Sequence, residues 1–340
     1  FGGLANHYKG YHIKNLLWTE KPSTYEYLKE YSNEGPNTKN EISAFAKLSW
    51  QLSKQWSLFG DLQYRGVTYK ANRFNVDEKF NFFNPKAGVT YFLNEKNNLY
   101  LSYGHSEKEP NRSDFKNYTD ILNNENPNAQ KPVAEELNDF ELGYRFASDK
   151  VKLNVNLFYM AYKNQLALTG RLSPTGYAIR ENIDKSYRTG IELDANIKIT
   201  NKWTWMPNFS FSKNKNLDYS IKVKNLGNTN ISYSPEIVAS NILTFTPIEK
   251  FQISLISKYV GERFMSNANE EDSKLEDFFV NDLSLSYEIN PKKICKSVLF
   301  SVIGNNIFNR KYISHGTYEY GQAYFPAAEA NFLAGVTLSF

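Results

Sequence analysis

The sequence predicts an all-β protein, an antiparallel β-barrel whose strands cross a membrane. The first observation is a strict alternation of apolar and polar residues, which is the period of a strand with two different faces. In the segment EISAFAKLSWQL, Ile42, Leu48 and Trp50 share one face, whereas Lys47 and Ser49 lie on the other. The same pattern returns in NLYLSYGHS, DFELGYRF, VKLNVNLFYMAY, GIELDANIKIT, FQISLISKYV and SVLFSVIGN. These segments predict about fourteen strands.

The second observation is that short and long connections alternate along the chain. Short turns are predicted near 53–54, 94–97, 147–150, 200–202, 247–250 and 290–294. Long polar loops are predicted near 21–40, 108–134, 170–185, 213–235, 266–277 and 306–330. Short turns on one rim and long loops on the other are typical of outer-membrane barrels.

Composition is the third observation. The 340 residues include 24 Tyr and 24 Phe, and the mean hydropathy is −0.57. No apolar run approaches the length of about 18 residues that a transmembrane helix needs. A barrel strand shows lipid only every second residue, so this composition excludes membrane helices but not membrane strands.

Aromatic residues lie beside the predicted short turns, on the apolar faces of their strands, as expected for a girdle at headgroup depth. They are Trp50, Trp56, Trp203, Trp205 and Phe251. The opposite faces carry polar and charged residues, which a dry protein core would not accept but a wet lumen does. They are Lys47, Asp61, Arg65, Glu141, Arg145, Asn154, Asn156, Glu192, Asp194 and Lys198.

The terminal segment NFLAGVTLSF alternates up to its last residue. Phe332, Ala334, Val336, Leu338 and Phe340 share one apolar face. The ends of soluble domains usually fray, so we expect this face to lie against lipid and the barrel to end with this strand. The chain begins without Met or a targeting segment, and we expect it to be part of a longer protein.

Other functional classes find little support. The single Cys295 excludes an internal disulfide and a cysteine-based metal cluster. A net charge of +4 without a basic stripe argues against nucleic acid as a partner. HExxH, GxSxG, P-loop and GxGxxG motifs are absent from the sequence. The sequence therefore indicates neither an enzyme nor a bound cofactor.

Several stretches resemble one family, the TonB-dependent receptors of outer membranes, and most of all those of the Bacteroidetes type. They are FGDLQYRGVTY, FNFFNPKAGVTY, LYLSYGHSEKEPNRSDF, AEELNDFELGYRF, SPEIVASNILTF, KYVGERFMSN and IGNNIFNRKYISHGTYEY. The resemblance implies a barrel of about 22 strands, of which residues 1–340 supply the C-terminal fourteen or so. The family's plug domain and first strands have no counterpart here.

The resemblance also implies function and partners. It implies an active importer of a scarce nutrient, which we expect to be a ferric siderophore or other iron or haem complex. The TonB–ExbB–ExbD complex supplies the energy, through the N-terminal part. The terminal strand resembles the signal that the barrel-assembly machinery reads, with Phe332, Val336, Leu338 and Phe340 as its apolar positions. Alternatives are a glycan or cobalamin importer of the same family, a passive channel of about fourteen strands for fatty acids or oligosaccharides, and an adhesion barrel.

Candidate binding residues lie in the predicted long loops. Asn111, Arg112 and Asp114 follow an outward strand end, where an Arg can contact a carboxylate, catecholate or phosphate in bidentate fashion. A structural anchor for the loop is the alternative reading. Further candidates flank another outer loop, and they are Arg180, Asn182 and Arg188. In the last long loop, His315, Tyr318 and Tyr320 are possible haem ligands or solvated loop residues. The metal, if any, stays unknown.

Overall fold

The computed structural model describes residues 1–15, 17–18, 20, 30–33, 35–124, 129–172, 178–221, 224–291, 295–318 and 322–340. Most of this part of the chain is strand. In chain order the strands are β1 Gly2–Gly10, β2 Ile13–Asn15, β3 Glu30–Asn33, β4 Asn37–Gln51, β5 Trp56–Ala71, β6 Val76–Asn94, β7 Asn97–Lys108, β8 Glu135–Ala147, β9 Val151–Leu172, β10 Ala178–Lys198, β11 Trp203–Ile221, β12 Lys224–Asn230, β13 Ile237–Ile248, β14 Phe251–Val260, β15 Arg263–Phe264, β16 Lys274–Leu275, β17 Phe278–Ile289, β18 Ser297–Asn305, β19 Ile313–Tyr318, β20 Gln322–Pro326 and β21 Asn331–Ser339. One α-helix, α1, spans Arg112–Asn124, and short 3-10 turns cover Asn72–Phe74 and Glu271–Ser273.

Fourteen long strands form one antiparallel meander, in the order β1-β4-β5-β6-β7-β8-β9-β10-β11-β13-β14-β17-β18-β21, with β12 added beside β11. The prediction of about fourteen strands is confirmed. Within the described residues no ladder joins β1 to β21. The strands therefore form a curved wall with two edges, which does not match a closed fourteen-stranded channel.

The outer face of the wall carries an apolar band. Leu101 on β7 lies opposite Leu142 on β8, which lies opposite Leu157 on β9, which in turn lies opposite Ile191 on β10. The three leucines are 53%, 48% and 46% exposed. A row of large apolar side chains with no protein above it is what a lipid-facing surface requires. None of the helices in the described part of the chain is long and apolar enough to cross a membrane.

The inner face is polar, as predicted. The Tyr100 hydroxyl donates to Asn156 Oδ1 at 3.0 Å, and Asn154 Nδ2 donates to Asp194 Oδ1 at 3.2 Å. The Arg145 guanidinium lies 4.1 Å from the centre of the Tyr100 ring. These contacts join polar side chains of neighbouring strands, which is how a polar inner face is stabilised.

The predicted short turns among the described residues lie at one rim, whereas 292–294 of the last one lie outside them. Small hydroxyl residues close three of these turns, and in one of them Ser148 Oγ accepts the backbone N–H of Val151 at 3.1 Å. Ser53 Oγ accepts the backbone N–H of Trp56 at 3.2 Å, and Thr200 Oγ1 accepts that of Trp203 at 3.1 Å. At this rim Trp50, Trp56, Trp203 and Trp205 are exposed, as the predicted girdle requires, whereas Phe251 is half-buried. Trp203 also stacks on Phe245, with ring centres 4.4 Å apart.

Two predicted long loops are wrong in part, because strands extend well past the apolar band. β9 continues to Leu172 and β10 begins at Ala178, so residues 178–185 pair in a sheet. Likewise β11 reaches Ile221 and folds back as β12. Apolar residues of these extensions, such as Leu166, Ile179 and Ile183, are buried, but the polar residues between them make the sequence read as loop. The predicted loop 108–134 contains α1.

Candidate functional site

The segment between β7 and β8 folds onto the inner, polar face of the wall. α1 begins with a capping box, in which Asn111 Oδ1 accepts the Asp114 N–H at 3.1 Å and Asp114 Oδ2 accepts the Asn111 N–H at 2.7 Å. An Asn at the N-cap and an acid three residues later satisfy two backbone donors that a helix start leaves open. The sequence NRSD therefore fixes where the helix starts.

Asp114 also binds the wall. Its carboxylate is 3% exposed and receives Arg180 Nε on Oδ1 at 2.9 Å and an Arg180 terminal nitrogen on Oδ2 at 2.6 Å. Arg180 lies on β10. This bidentate pair holds the start of α1 against β10, and it favours the anchor reading of Asp114 over direct contact with a ligand.

Glu109, just before α1, binds to two strands, β4 and β5, on the side of the wall away from β10. Its carboxylate accepts Arg65 at 2.6 Å and Lys39 at 2.7 Å, while Arg65 also donates to Glu41 at 2.8 Å. Burial acts to raise the pKa of Glu109, but the hydrogen bonds from Arg65 and Lys39 outweigh it and lower the pKa to about 2. The segment 109–114 thus spans from β4 and β5 to β10, across the inner face.

A small apolar cluster fixes α1 between these two anchors. Phe115 is fully buried and stacks on Tyr69 with ring centres 5.8 Å apart. Ala71, Phe74 and Val76 complete the cluster. Burying one Phe side chain contributes about 2 kcal/mol, so α1 is a packed element and not a loose loop.

A cavity of about 290 Å³ lies beside this segment. Its lining residues are Tyr8, His12, Asn37, Lys39, Tyr69, Glu109, Pro110, Asn111 and Arg112. The Arg112 guanidinium lies 5.2 Å from the centre of the Phe74 ring, a cation–π contact that orients it. The buried Tyr69 hydroxyl has no hydrogen-bond partner among the described residues. The Glu109 carboxylate already pairs with Lys39, but the Arg112 cation, two amides and two phenols in one cavity suit a flat ligand that carries oxygen acceptors.

The structure separates the predicted residues into three groups. Asn111 and Arg112 line the cavity, with Asp114 and Arg180 behind them. Asn182 holds the chain before β8, since it donates to the Val133 carbonyl at 3.1 Å.

Arg188 lies elsewhere on the inner face, donating to Asn214 Oδ1 at 3.2 Å and Ser234 Oγ at 3.0 Å. The sequence did not link Arg188 to these two partners, because Asn214 lies on β11 and Ser234 follows β12.

The last predicted group lies in a cap of outer loops. His315 is exposed and packs between Tyr233 and Phe325, with ring centres 5.0 and 5.9 Å away. Tyr318 donates to Asp272 Oδ1 at 2.8 Å, a bond that raises the pKa of Tyr318 to about 12. Both side chains thus make contacts within the loops. Tyr320 lies outside the described residues. In the described part of the chain no three His, Cys, Asp or Glu side chains are grouped to hold a metal ion.

Sequence reasoning missed the residues that join the outer loops. Arg263 is 8% exposed and donates to the Ser314 carbonyl at 2.7 Å, which ties the loop after β14 to β19. Asn267 Nδ2 donates to the Leu168 carbonyl at 2.8 Å, and Tyr233 donates to the Gly316 carbonyl at 3.0 Å. All three bonds end on backbone carbonyls, which carry no side-chain signal in a sequence.

Comparison with known proteins decides the family. The sequence profile described as TonB dependent receptor-like, beta-barrel, matches residues 3–308. The chain belongs to this family. Among curated relatives, the pesticin receptor of Yersinia enterocolitica is 23% identical over 303 residues, covering 84% of this chain and 41% of that receptor. The receptor chain described here thus spans less than half the length of that relative.

Solved structures of TonB-dependent receptors and related transporters share the fold. The ferric-catecholate import receptor Fiu of Escherichia coli K12, in a closed form, superposes with a TM-score of 0.69 at 16% identity, covering 99% of this chain and 51% of that one. The copper transporter OprC superposes with a TM-score of 0.73 at 17% identity, covering 99% and 53%. At this level of identity the likeness concerns the fold alone.

Proposed function

We propose that the complete receptor containing this chain lies in the outer membrane of a Gram-negative bacterium and imports a ferric siderophore or another iron or haem complex. The observation that carries the proposal is the family match together with the names of relatives, which include a catecholate siderophore receptor and a probable TonB-dependent siderophore receptor. The wall is apolar outside and polar inside, and one segment folds inward. This arrangement is suited to a vestibule that holds a ligand before transport.

The proposed ligand contacts centre on the cavity beside α1. Asn111 and Arg112 line it directly, and Arg112 supplies a planar cation for a carboxylate or catecholate oxygen. Asp114, Arg180 and Asn182 position this segment. Arg188, His315, Tyr318 and Tyr320 remain proposed contacts elsewhere in the vestibule, for parts of a ligand larger than the cavity.

Energy and assembly come from partners in this proposal. TonB, with ExbB and ExbD, acts on the N-terminal part of the complete receptor, so transport work replaces enzyme chemistry. The barrel-assembly machinery reads the β21 end, where Phe332, Val336, Leu338 and Phe340 are exposed. Outer-membrane lipid covers the apolar band.

Ligand capture tests the proposal. Full-length receptor in outer-membrane vesicles is offered ferric siderophores, haem and cobalamin, and retained metal is measured by elemental mass spectrometry. Iron retained above empty vesicles is the expected result, whereas cobalt alone or no metal contradicts it. Arg112→Gln should lower retained iron about tenfold, since a charge-assisted bond contributes about 1.5–3 kcal/mol. Arg310→Gln, a matched change at an exposed position, should leave it unchanged.

A further inference from the structure

Arg188 lies on the inner, polar face of the wall and is held by neutral groups only. Its Nη1 donates to Asn214 Oδ1 at 3.2 Å and to Ser234 Oγ at 3.0 Å. The Tyr162 hydroxyl also interacts with the guanidinium, but a phenol is neutral at physiological pH. Among the described residues no carboxylate lies within ion-pair distance of Arg188. Because a guanidinium keeps its charge, this part of the inner face is cationic.

The two acceptors of Arg188 are themselves held in place. Asn214 is buried, and its Nδ2 donates to Ser212 Oγ at 2.9 Å, which turns Oδ1 toward Arg188. The Ser234 hydroxyl donates to the Ser232 carbonyl at 3.1 Å, so its oxygen accepts from Arg188. Both bonds use Nη1, and the edge formed by Nε and Nη2 carries the other three of the five N–H donors.

Elsewhere in the same chain this edge of an arginine binds a carboxylate. Arg180 places Nε and Nη2 on the two oxygens of Asp114, at 2.9 and 2.6 Å. The same bidentate geometry at Arg188 needs a carboxylate that the described residues do not supply. Arg188 therefore suits a carboxylate that belongs to a bound molecule.

An acid with an unsatisfied oxygen lies two strands from Arg188. Asp139 on β8 lies opposite Met160 on β9, and Met160 lies opposite Arg188 on β10, so all three share the inner face. Asp139 Oδ1 is buried and has no hydrogen-bond partner among the described residues. Neighbouring strands are about 4.8 Å apart, so about 9.6 Å separates the Cα atoms of Asp139 and Arg188.

The charged groups nearest to Asp139 along the inner face do not neutralise it. Glu141, two residues along β8, is a second acid and accepts the Ser102 hydroxyl at 3.4 Å. Lys86 lies two strands away on β6 and forms no ion pair with Asp139. Asp139 and Arg188 are thus one negative and one positive group on the same face, and they do not pair with each other.

We propose that Asp139 and Arg188 bind an amino-acid group of the transported chelate, with its ammonium on Asp139 and its carboxylate on the Nε and Nη2 edge of Arg188. An ammonium and a carboxylate on one carbon are roughly 3 Å apart, and a charge-assisted hydrogen bond at each end adds about 2.8 Å. The whole arrangement covers about 9 Å and matches the spacing across Met160. The inference rests on the proposed import of an iron chelate and names the chemistry of one part of that ligand.

The test uses full-length receptor and three ferric tris-catecholate chelates that differ in one lysine appended through its side chain. The first chelate has a free α-ammonium and a free carboxylate, the second is acetylated on the amine, and the third is a methyl ester. Binding is measured by quenching of tryptophan fluorescence. The wild type should bind the free chelate about tenfold more tightly than either capped one, because each cap removes a charge-assisted hydrogen bond.

Each variant should remove one of these preferences and keep the other. Asp139→Asn should bind the acetylated chelate as well as the free one and still bind the ester more weakly. Arg188→Gln should bind the ester as well as the free chelate and still bind the acetylated one more weakly. The matched controls Asp149→Asn and Arg310→Gln, at exposed positions, should keep both preferences.

Equal binding of the three chelates by the wild type would overturn the inference, and so would a failure to bind any of them. The inference is also wrong if both variants keep the preferences but unfold at lower temperature, since the two charges then hold another segment of the receptor. Heat-modifiable migration in gels checks the folding of each variant, and the wild-type comparison decides alone where a variant does not fold. Iron capture from the siderophore mixture is measured in parallel, so a failure of the proposed import is seen separately.

Discussion

Asp114 is the residue whose change should affect the inward-folded segment most, because it joins the α1 cap to the wall. In Asp114→Asn the amide keeps the shape of the side chain and can still accept the Asn111 N–H. It loses the charge that binds Arg180 through two nitrogens at 2.9 and 2.6 Å. We expect α1 to detach from the wall and unfold locally more often, while the strands around it stay paired.

The magnitude follows from burial. Removing one partner of a fully buried ion pair costs about 3–5 kcal/mol. Arg180 is 20% exposed and regains some water when it loses its partner. We therefore expect about 2 kcal/mol of local stability to be lost, which is about a 30-fold rise in the opening constant.

Hydrogen exchange of the α1 amides in the full-length receptor measures this quantity, because local opening sets their protection. Asp120→Asn is the matched control in the same helix. Asp120 pairs with Lys116 at 2.6 Å but is 46% exposed, so its loss should change protection by about twofold. Equal effects of the two variants, or unchanged protection in Asp114→Asn, would refute the role assigned to the buried pair.

The other predictions concern acid, lipid and packing. Because the folded-state pKa of Glu109 is lowered to about 2 from 4.5, its contribution is present above about 4.5 and is lost as pH falls toward 2. Pepsin cleavage within 108–134, measured relative to cleavage of an unfolded substrate at the same pH, should rise as pH falls through that window in the wild type. Glu109→Gln should be cleaved readily, and its relative cleavage should not change with pH. Leu101→Lys and Leu157→Lys should each lower the free energy of unfolding by about 2–4 kcal/mol near the bilayer midplane, and Asn156→Lys by about 1 kcal/mol. Equal unfolding midpoints of the three variants in lipid vesicles would contradict the assigned faces. A Cβ at Gly143 would lie 2.1 Å from the Tyr100 ring, so Gly143→Val should lower the free energy of unfolding by about 1–3 kcal/mol in the same assay. Gly60 is the control, because a Cβ there would have open space around it. A smaller loss in Gly143→Val than in Gly60→Val would show that the contact is unimportant.

The wall was predictable because its signal is local. Alternation places Leu101 and Leu157 outside and Asn156 inside with no knowledge of the partner strands, and the register then confirms those faces. The extensions of β9, β10 and β11 were not predicted, because polar residues such as Asn164, Glu181 and Asn182 stand among their few apolar ones and obscure the alternation. Helix α1 was missed for a related reason, since its start signal is the short capping box NRSD inside a polar stretch.

The candidate site was only partly predictable. Asn111, Arg112 and Asp114 were singled out from one stretch, but the pairing of Asp114 with Arg180 joins residues 66 apart, and β8 and β9 lie between them in the chain. The bonds that hold the outer loops together, such as Arg263 to the Ser314 carbonyl, end on backbone atoms. The sequence alone does not indicate which backbone carbonyl will lie near a given side chain.

Energised uptake of iron tests the central claim most directly. The experiment uses cells in which the full-length receptor is the one route of entry for a radiolabelled ferric chelate. Iron uptake is compared with and without an uncoupler of the inner-membrane proton gradient. The account predicts iron accumulation in energised cells, loss of accumulation with the uncoupler, and surface binding that survives the uncoupler. Accumulation that persists without the gradient would contradict an active importer and indicate a passive channel.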